Sequence, residues 1–178
     1  MSQDQLPYYE IPNAPTEMTA GGAISRTLDG LGYRYFWATE GLREEDLAYR
    51  ISEDSRTAGE TLDHLYGLTE FILKVINKEP NIRGAEKEEV SFSDKRKITL
   101  ENIYQASKLV RQKSDQEVQA CEIIIQRGER ETSFPIWNLL NGPIADAIYH
   151  TGQIVTYRRA SGNPLYPGVS VFTGKTRM

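Results

Sequence analysis

The sequence contains two histidines, His64 and His150, and each has a carboxylate four residues before it, Glu60 and Asp146. Side chains four apart on a helix are neighbours and can be presented to a single ion. If Asp146 and His150 form such a pair, and His64 adds a donor from a facing helix, the set is two imidazoles and one carboxylate. Such borderline ligands suit a divalent Zn, Ni, Fe or Mn ion. Three protein donors leave positions open for water or substrate, as a reactive centre requires.

The helical projection places both histidines alike. With about 100° per residue, His64 falls at the edge of an apolar arc made by Leu65, Leu68, Phe71, Ile72, Val75 and Ile76. His150 edges a second arc of Ile144, Ala147, Ile148, Ile154 and Val155. Glu60 and Asp146 each lie about 40° further toward the polar rim. A histidine on an apolar face is more often a core residue than a ligand, and acids make up 25 of the 178 residues. Spacing alone therefore does not make a site.

Neighbouring residues carry double readings. Glu60 is either a fourth ligand or general base, or a carboxylate capping the first turn of its helix. Gln153 and Tyr157 follow on one side of His150, where they could touch substrate or metal-bound water; for Tyr157 the alternative is buried aromatic packing. Asp63 projects about 100° away from His64, toward the surface. Tyr149, Arg158 and Arg159 suit either a dimer face or an anionic substrate. Cys121 reads as a small core residue rather than a nucleophile.

Four long helices must position these groups. Ile24, Leu28, Leu31 and Tyr35 recur at helical spacing from Ala20 to about Thr39, with Gly41 as a C-terminal cap. A second helix is expected from about Thr57 to Asn77, opened by Ser55 or Thr57 and ended by Pro80, Asn81 and Gly84. The charged run Glu86 to Glu89 then belongs to a solvated loop. A third helix is expected over roughly Asp94 to Ala120. The β-branched run Ile123-Ile124-Ile125, followed by Gly128 and an alternating return, predicts a small hairpin or extended excursion. The last helix opens near Pro135, breaks at Asn141-Gly142-Pro143 and continues to about Ala160. Pro7, Pro12 and Pro15 make residues 1–18 an irregular arm, and residues 19–178 read as a single all-α domain, a helix bundle with an irregular tail. The aromatic stretch Tyr33 to Trp37 falls on two faces of the first helix, one for the core and one for a partner.

Composition narrows the classes of function. Hydrophobic residues are 39% and charged residues 26%, with a formal net charge of -4 and no basic block. The electrostatic footprint of a nucleic-acid binder is missing, so no nucleic-acid partner is expected. No apolar run approaches the roughly 20 residues that span a bilayer, and the polar N-terminus lacks a leader pattern. With a single cysteine, an internal disulfide is impossible, and a reducing cytoplasm is the expected compartment.

The segment Asp146-Ala-Ile-Tyr-His150-Thr-Gly152-Gln153-Ile154 resembles the closing-helix motif of DinB-like proteins, where His-x-x-x-His is followed by Gly-Gln. The phrase Gly59-Glu60-Thr61-Leu62-Asp63-His64 is similar to that family's first ligand helix, and the order of segments matches from about Ala20 onward. The resemblance implies a four-helix bundle of the DinB/YfiT type, with up-up-down-down wiring and frequent homodimerisation. It also implies a divalent metal held by His64, His150 and the residue at position 146. There the family's histidine is replaced by Asp146, which either ligates, giving a more oxygen-rich site, or marks a weakened or vestigial one. By analogy the activity is that of a metal-dependent hydrolase, or of a thiol S-transferase or isomerase acting with a small-molecule or low-molecular-weight thiol substrate. The alternative is a non-catalytic, stress-associated binding protein.

Overall fold

Hydroxyl side chains set the start of three of the four long helices by taking up backbone N–H groups that have no partner inside the helix. Thr19 accepts from Gly22 N at the head of α1 (Ala20–Thr39), and Ser91 accepts from Asp94 N at the head of α4 (Phe92–Arg111). Between them come a short α2 (Glu44–Leu47), then α3 (Ala58–Ile76), and strand β1 (Asn81–Ile82). After α4 follow α5 (Asp115–Gln119), strands β2 (Glu122–Arg127) and β3 (Arg130–Pro135), and α6 (Trp137–Leu139). A π-helical turn (Leu140–Ile144) leads into α7 (Ala145–Ala160), and strands β4 (Val169–Ser170) and β5 (Lys175–Thr176) close the chain. This computed structural model describes residues 6–84 and 90–177; the charged run Glu86 to Glu89 lies outside the described residues, as do the first five positions of the arm.

The protein is mostly helical, with two small sheets. α1 packs against α4 and α7, and α3 packs against the same two helices. The long helices that follow one another in the chain, α1 and α3 or α4 and α7, do not pack extensively on each other. That is why the links between them are long enough to hold α2 in one case and the β2–β3 hairpin in the other. Leu28, Leu31, Leu65, Ile72, Leu100, Ile103, Leu139 and Ile154 are fully buried in the core between these helices. Each such side chain contributes about 1.5–3 kcal/mol through burial. None of the helices among the described residues is long and apolar enough to cross a membrane.

The expected elements hold with specific departures. The third helix stops at Arg111 instead of running to Ala120. Ser114 and Glu117 form a capping box there that starts α5 afresh, so a local hydrogen-bond pattern outweighs the weak apolar stripe. The excursion after Cys121 is a true hairpin, turned at Gly128 (φ 58°), and β1 joins it in parallel as a third strand. The tail is less irregular than its glycines and prolines suggest, because β4 and β5 pair antiparallel.

A larger departure concerns the aromatic stretch of α1. Tyr33, Tyr35, Phe36 and Trp37 are all buried, so neither face awaits a partner. The chain's own ends cover the outer side. Tyr9 packs edge-on against Phe36 and takes a hydrogen bond from Trp37 Nε1 on its carbonyl, while Tyr166 stacks on Trp37. Tyr8 lies against Gly32, where an added Cβ would come within 2.4 Å of the ring. Its hydroxyl donates to the buried Asp29, which Ser107 and Arg111 also engage from α4.

Candidate metal centre

His64 sits in the second turn of α3, and Asp146 and His150 in the first two turns of α7, two helices in direct contact. Asp146 stands between the imidazoles. Its Oδ2 is 3.1 Å from His64 Nε2, and its Oδ1 is 3.3 Å from His150 Nε2. The two rings meet edge to face with centroids 4.8 Å apart. One donor atom from each residue falls within 4.8 Å of the other two, so the group could hold a metal ion. Donors bound at ~2.1 Å around one tetrahedral ion lie ~3.4 Å from each other, close to the two carboxylate–imidazole separations.

The start of α7 determines where Asp146 goes. No side chain caps this helix; the chain enters through the π-helical turn, in which Gly142 adopts φ -99° and ψ -105°, outside helical geometry. Pro143 follows, and it has no N–H to contribute to the turn. The break lets Asp146 fall in the first turn of α7, where the helix dipole favours a negative charge. His150 is then carried one turn deeper. Its side chain is 13% exposed against 34% for His64 and 42% for Asp146, so the group is closed off at His150 and open to solvent at Asp146 and His64.

Gln153 completes the arrangement around His150. Its Oε1 is 2.6 Å from His150 Nδ1, and its Nε2 donates to the Tyr149 hydroxyl at 3.3 Å. Since an amide oxygen only accepts, His150 donates to it through Nδ1, and Nε2 is the nitrogen that faces Asp146 and His64. An outer hydrogen bond of this kind both selects the ligating tautomer and holds the ring.

The other candidates are engaged elsewhere. Glu60 closes the capping box of α3, accepting from Thr57 N at 2.7 Å; that backbone hydrogen bond holds its carboxyl below the usual range. It does not join the histidines. Tyr157 is buried against Tyr49, with ring centroids 5.9 Å apart, and is a packing residue. Asp63 pairs with Lys95 of α4 at the surface. Arg158 serves neither a dimer face nor a substrate: it is buried, and its Nη1 donates to the carbonyls of Trp37, Ala38 and Glu40 at the end of α1. Cys121 is a core residue whose Sγ donates to the Glu117 carbonyl.

One feature was not anticipated from the residues. A cleft of about 510 Å³ opens beside Asp146, lined by Leu68, Asn141, Gly142, Pro143, Ala145 and Tyr149. The Asn-Gly-Pro break marks its position in the chain, but a break does not reveal which neighbour it uncovers.

A family model described as the DinB family matches residues 32–167, a span that holds all three donors and the cleft. No curated protein and no solved structure matches the chain.

Proposed function

Since the chain belongs to the DinB family, we propose that it is a metal-dependent enzyme in which His64, Asp146 and His150 hold one divalent ion. The observation that carries this reading is the convergence of three donor atoms from two helices, 82 positions apart in sequence at the His64–Asp146 contact. We also read the four long helices as the DinB-type four-helix bundle, supported by the packing of α1 and α3 on α4 and α7. Two imidazoles and a carboxylate suit Zn, Ni, Fe or Mn. When bound, such an ion lowers the pKa of a water or a low-molecular-weight thiol and presents it to an electrophile.

The chain's own residues have separable tasks. Gln153 takes the Nδ1 hydrogen bond of His150, leaving Nε2 to face Asp146 and His64. Asp146 supplies the negative charge and, with oxygens toward both imidazoles, orients them. The cleft beside it gives a small substrate an apolar wall of Leu68, Pro143 and the Tyr149 ring, with the Asn141 side chain as a polar contact. A cytoplasmic homodimer belongs to the same reading, and light scattering on the purified protein tests the dimer.

A second reading rests on the cleft lining. Apart from Asp146 and the Tyr149 phenol, none of its lining residues is ionisable, so the cleft itself offers few general acid–base groups. This favours a binding protein with a vestigial centre. Elemental analysis of the purified protein, followed by assays with thiol and ester substrates, separates the two. Near-stoichiometric metal, lost together with activity in His150→Ala, supports the enzyme. Metal-free protein that stays inert when supplied with Zn, Ni or Mn and thiols supports the binding protein.

A further inference from the structure

The three-stranded sheet gathers three arginines at one place. β2 and β3 pair so that Ile125 faces Thr132 and Arg127 faces Arg130. β1 runs parallel to β2 with Asn81 opposite Ile125 and Ile82 opposite Gln126, and the next residue, Arg83, donates its N–H to the Gln126 carbonyl at 2.8 Å. Side chains alternate along a strand and cross-strand neighbours share a face. Arg83, Arg127 and Arg130 therefore emerge side by side on the face that further in carries the buried Ile123.

Like charges directly opposed across strands are destabilising. Among the described residues no carboxylate makes an ion pair with any of the three. Only the Phe71 ring, 5.9 Å from the Arg83 guanidinium carbon, steadies one of them. The three arginines line a cavity of about 770 Å³ together with Ile125, Glu131 and Thr132.

We infer that this cavity binds a small phosphate monoester. Planar guanidinium forks match phosphate oxygens in pairs, and two or three of them neutralise a dianion. Thr132, on the same face, adds a hydroxyl suited to an alcohol group beside the phosphate, and Ile125 adds an apolar surface. Three cations gathered at one cavity, on a chain of net charge -4, fit a compact anion rather than the extended backbone of a nucleic acid. The site is independent of the metal centre.

Isothermal titration of the full chain, in low-salt buffer free of multivalent anions, tests it with glucose 6-phosphate and inorganic phosphate as probes. Wild type is expected to saturate with glucose 6-phosphate at a Kd of ~1 mM or tighter. Arg127→Ala/Arg130→Ala should weaken this at least ~10-fold, and Arg127→Lys/Arg130→Lys should lose part of it because the fork is gone. Lys108→Ala, an exposed cation on α4, should change nothing. Binding of inorganic phosphate as tightly as the ester supports the site and confines recognition to the phosphoryl group. The inference fails if neither anion saturates by ~20 mM. It also fails if Lys108→Ala weakens binding equally, or if single-stranded RNA binds tightly and with a steep salt dependence. Circular dichroism of the hairpin variants, whose altered side chains are exposed, checks that the fold is kept.

Discussion

Oε1 of Gln153 lies 2.6 Å from Nδ1 of His150, three residues earlier on α7, and so determines which imidazole nitrogen is free to face Asp146 and His64. If the three residues hold an ion, this contact tunes it without touching it. Gln153→Leu should lower metal affinity about 10–100-fold while thermal stability stays nearly unchanged, because the side chain is only partly buried. Gln153→Glu keeps the acceptor and should retain affinity near wild type. Competition titrations against a chromogenic chelator, run beside thermal melts, read both effects. Equal affinity in the leucine variant would sink the positioning role.

Asp146 is the one carboxylate in the donor set. Asp146→Ala removes both bridging contacts and should leave the purified protein with well under half the wild-type metal content. Asp146→His supplies a third imidazole, and nitrogen donors favour Zn. That variant should therefore bind Zn more tightly than wild type and lose relative preference for Mn. Unchanged metal content in both variants would remove Asp146 from the ligand set.

Asp46 governs acid stability. Its buried carboxylate accepts from Arg43 Nε and Nη2, from Ser161 Oγ and from Asn163 Nδ2, tying α2 to the end of α7. The Arg43 side chain first, then Ser161 and Asn163, hold its carboxyl well below the usual carboxylate range, against the opposing effect of burial. A depressed folded-state pKa means stabilisation that is complete above the unfolded value and disappears as pH falls toward the folded one. Wild type should thus lose stability progressively below pH ~4–5, and Asp46→Asn should show a flatter decline there. At pH 7 the asparagine variant should already be about 1–3 kcal/mol less stable. Urea melts at pH 7 and pH 3.5 measure the difference; parallel shifts at both would refute it.

Gly32 admits the Tyr8 ring, which an added Cβ would approach within 2.4 Å. Gly32→Ala should displace the arm and cost about 1–3 kcal/mol. Hydrogen exchange should then rise at residues 8–12 and along the outer face of α1, while α3 and α7 near the histidines stay protected. A uniform increase across the molecule would mean that the arm is not a separable unit.

What the sequence determined by itself follows from interactions that act within a turn or two. Thr57 with Glu60, the hairpin at Gly128 and the break at Asn141-Gly142-Pro143 were all legible, because hydrogen bonds between near neighbours and apolar periodicity are local. Periodicity also put His64 and His150 at the edges of buried stripes, and the motif around them named them as a pair. Only the tertiary structure decided that the two edges face each other across Asp146, that Glu60 accepts from Thr57 while Tyr157 packs on Tyr49, and that α1's outer aromatic face is covered by the chain's own ends. Such contacts join segments far apart in sequence, as Arg158 does when it donates to Ala38, 120 positions away. They depend on which helices pack together. A stripe of apolar residues specifies that a face must be buried, but many apolar partners satisfy that demand equally, so the choice is made by how the whole chain packs.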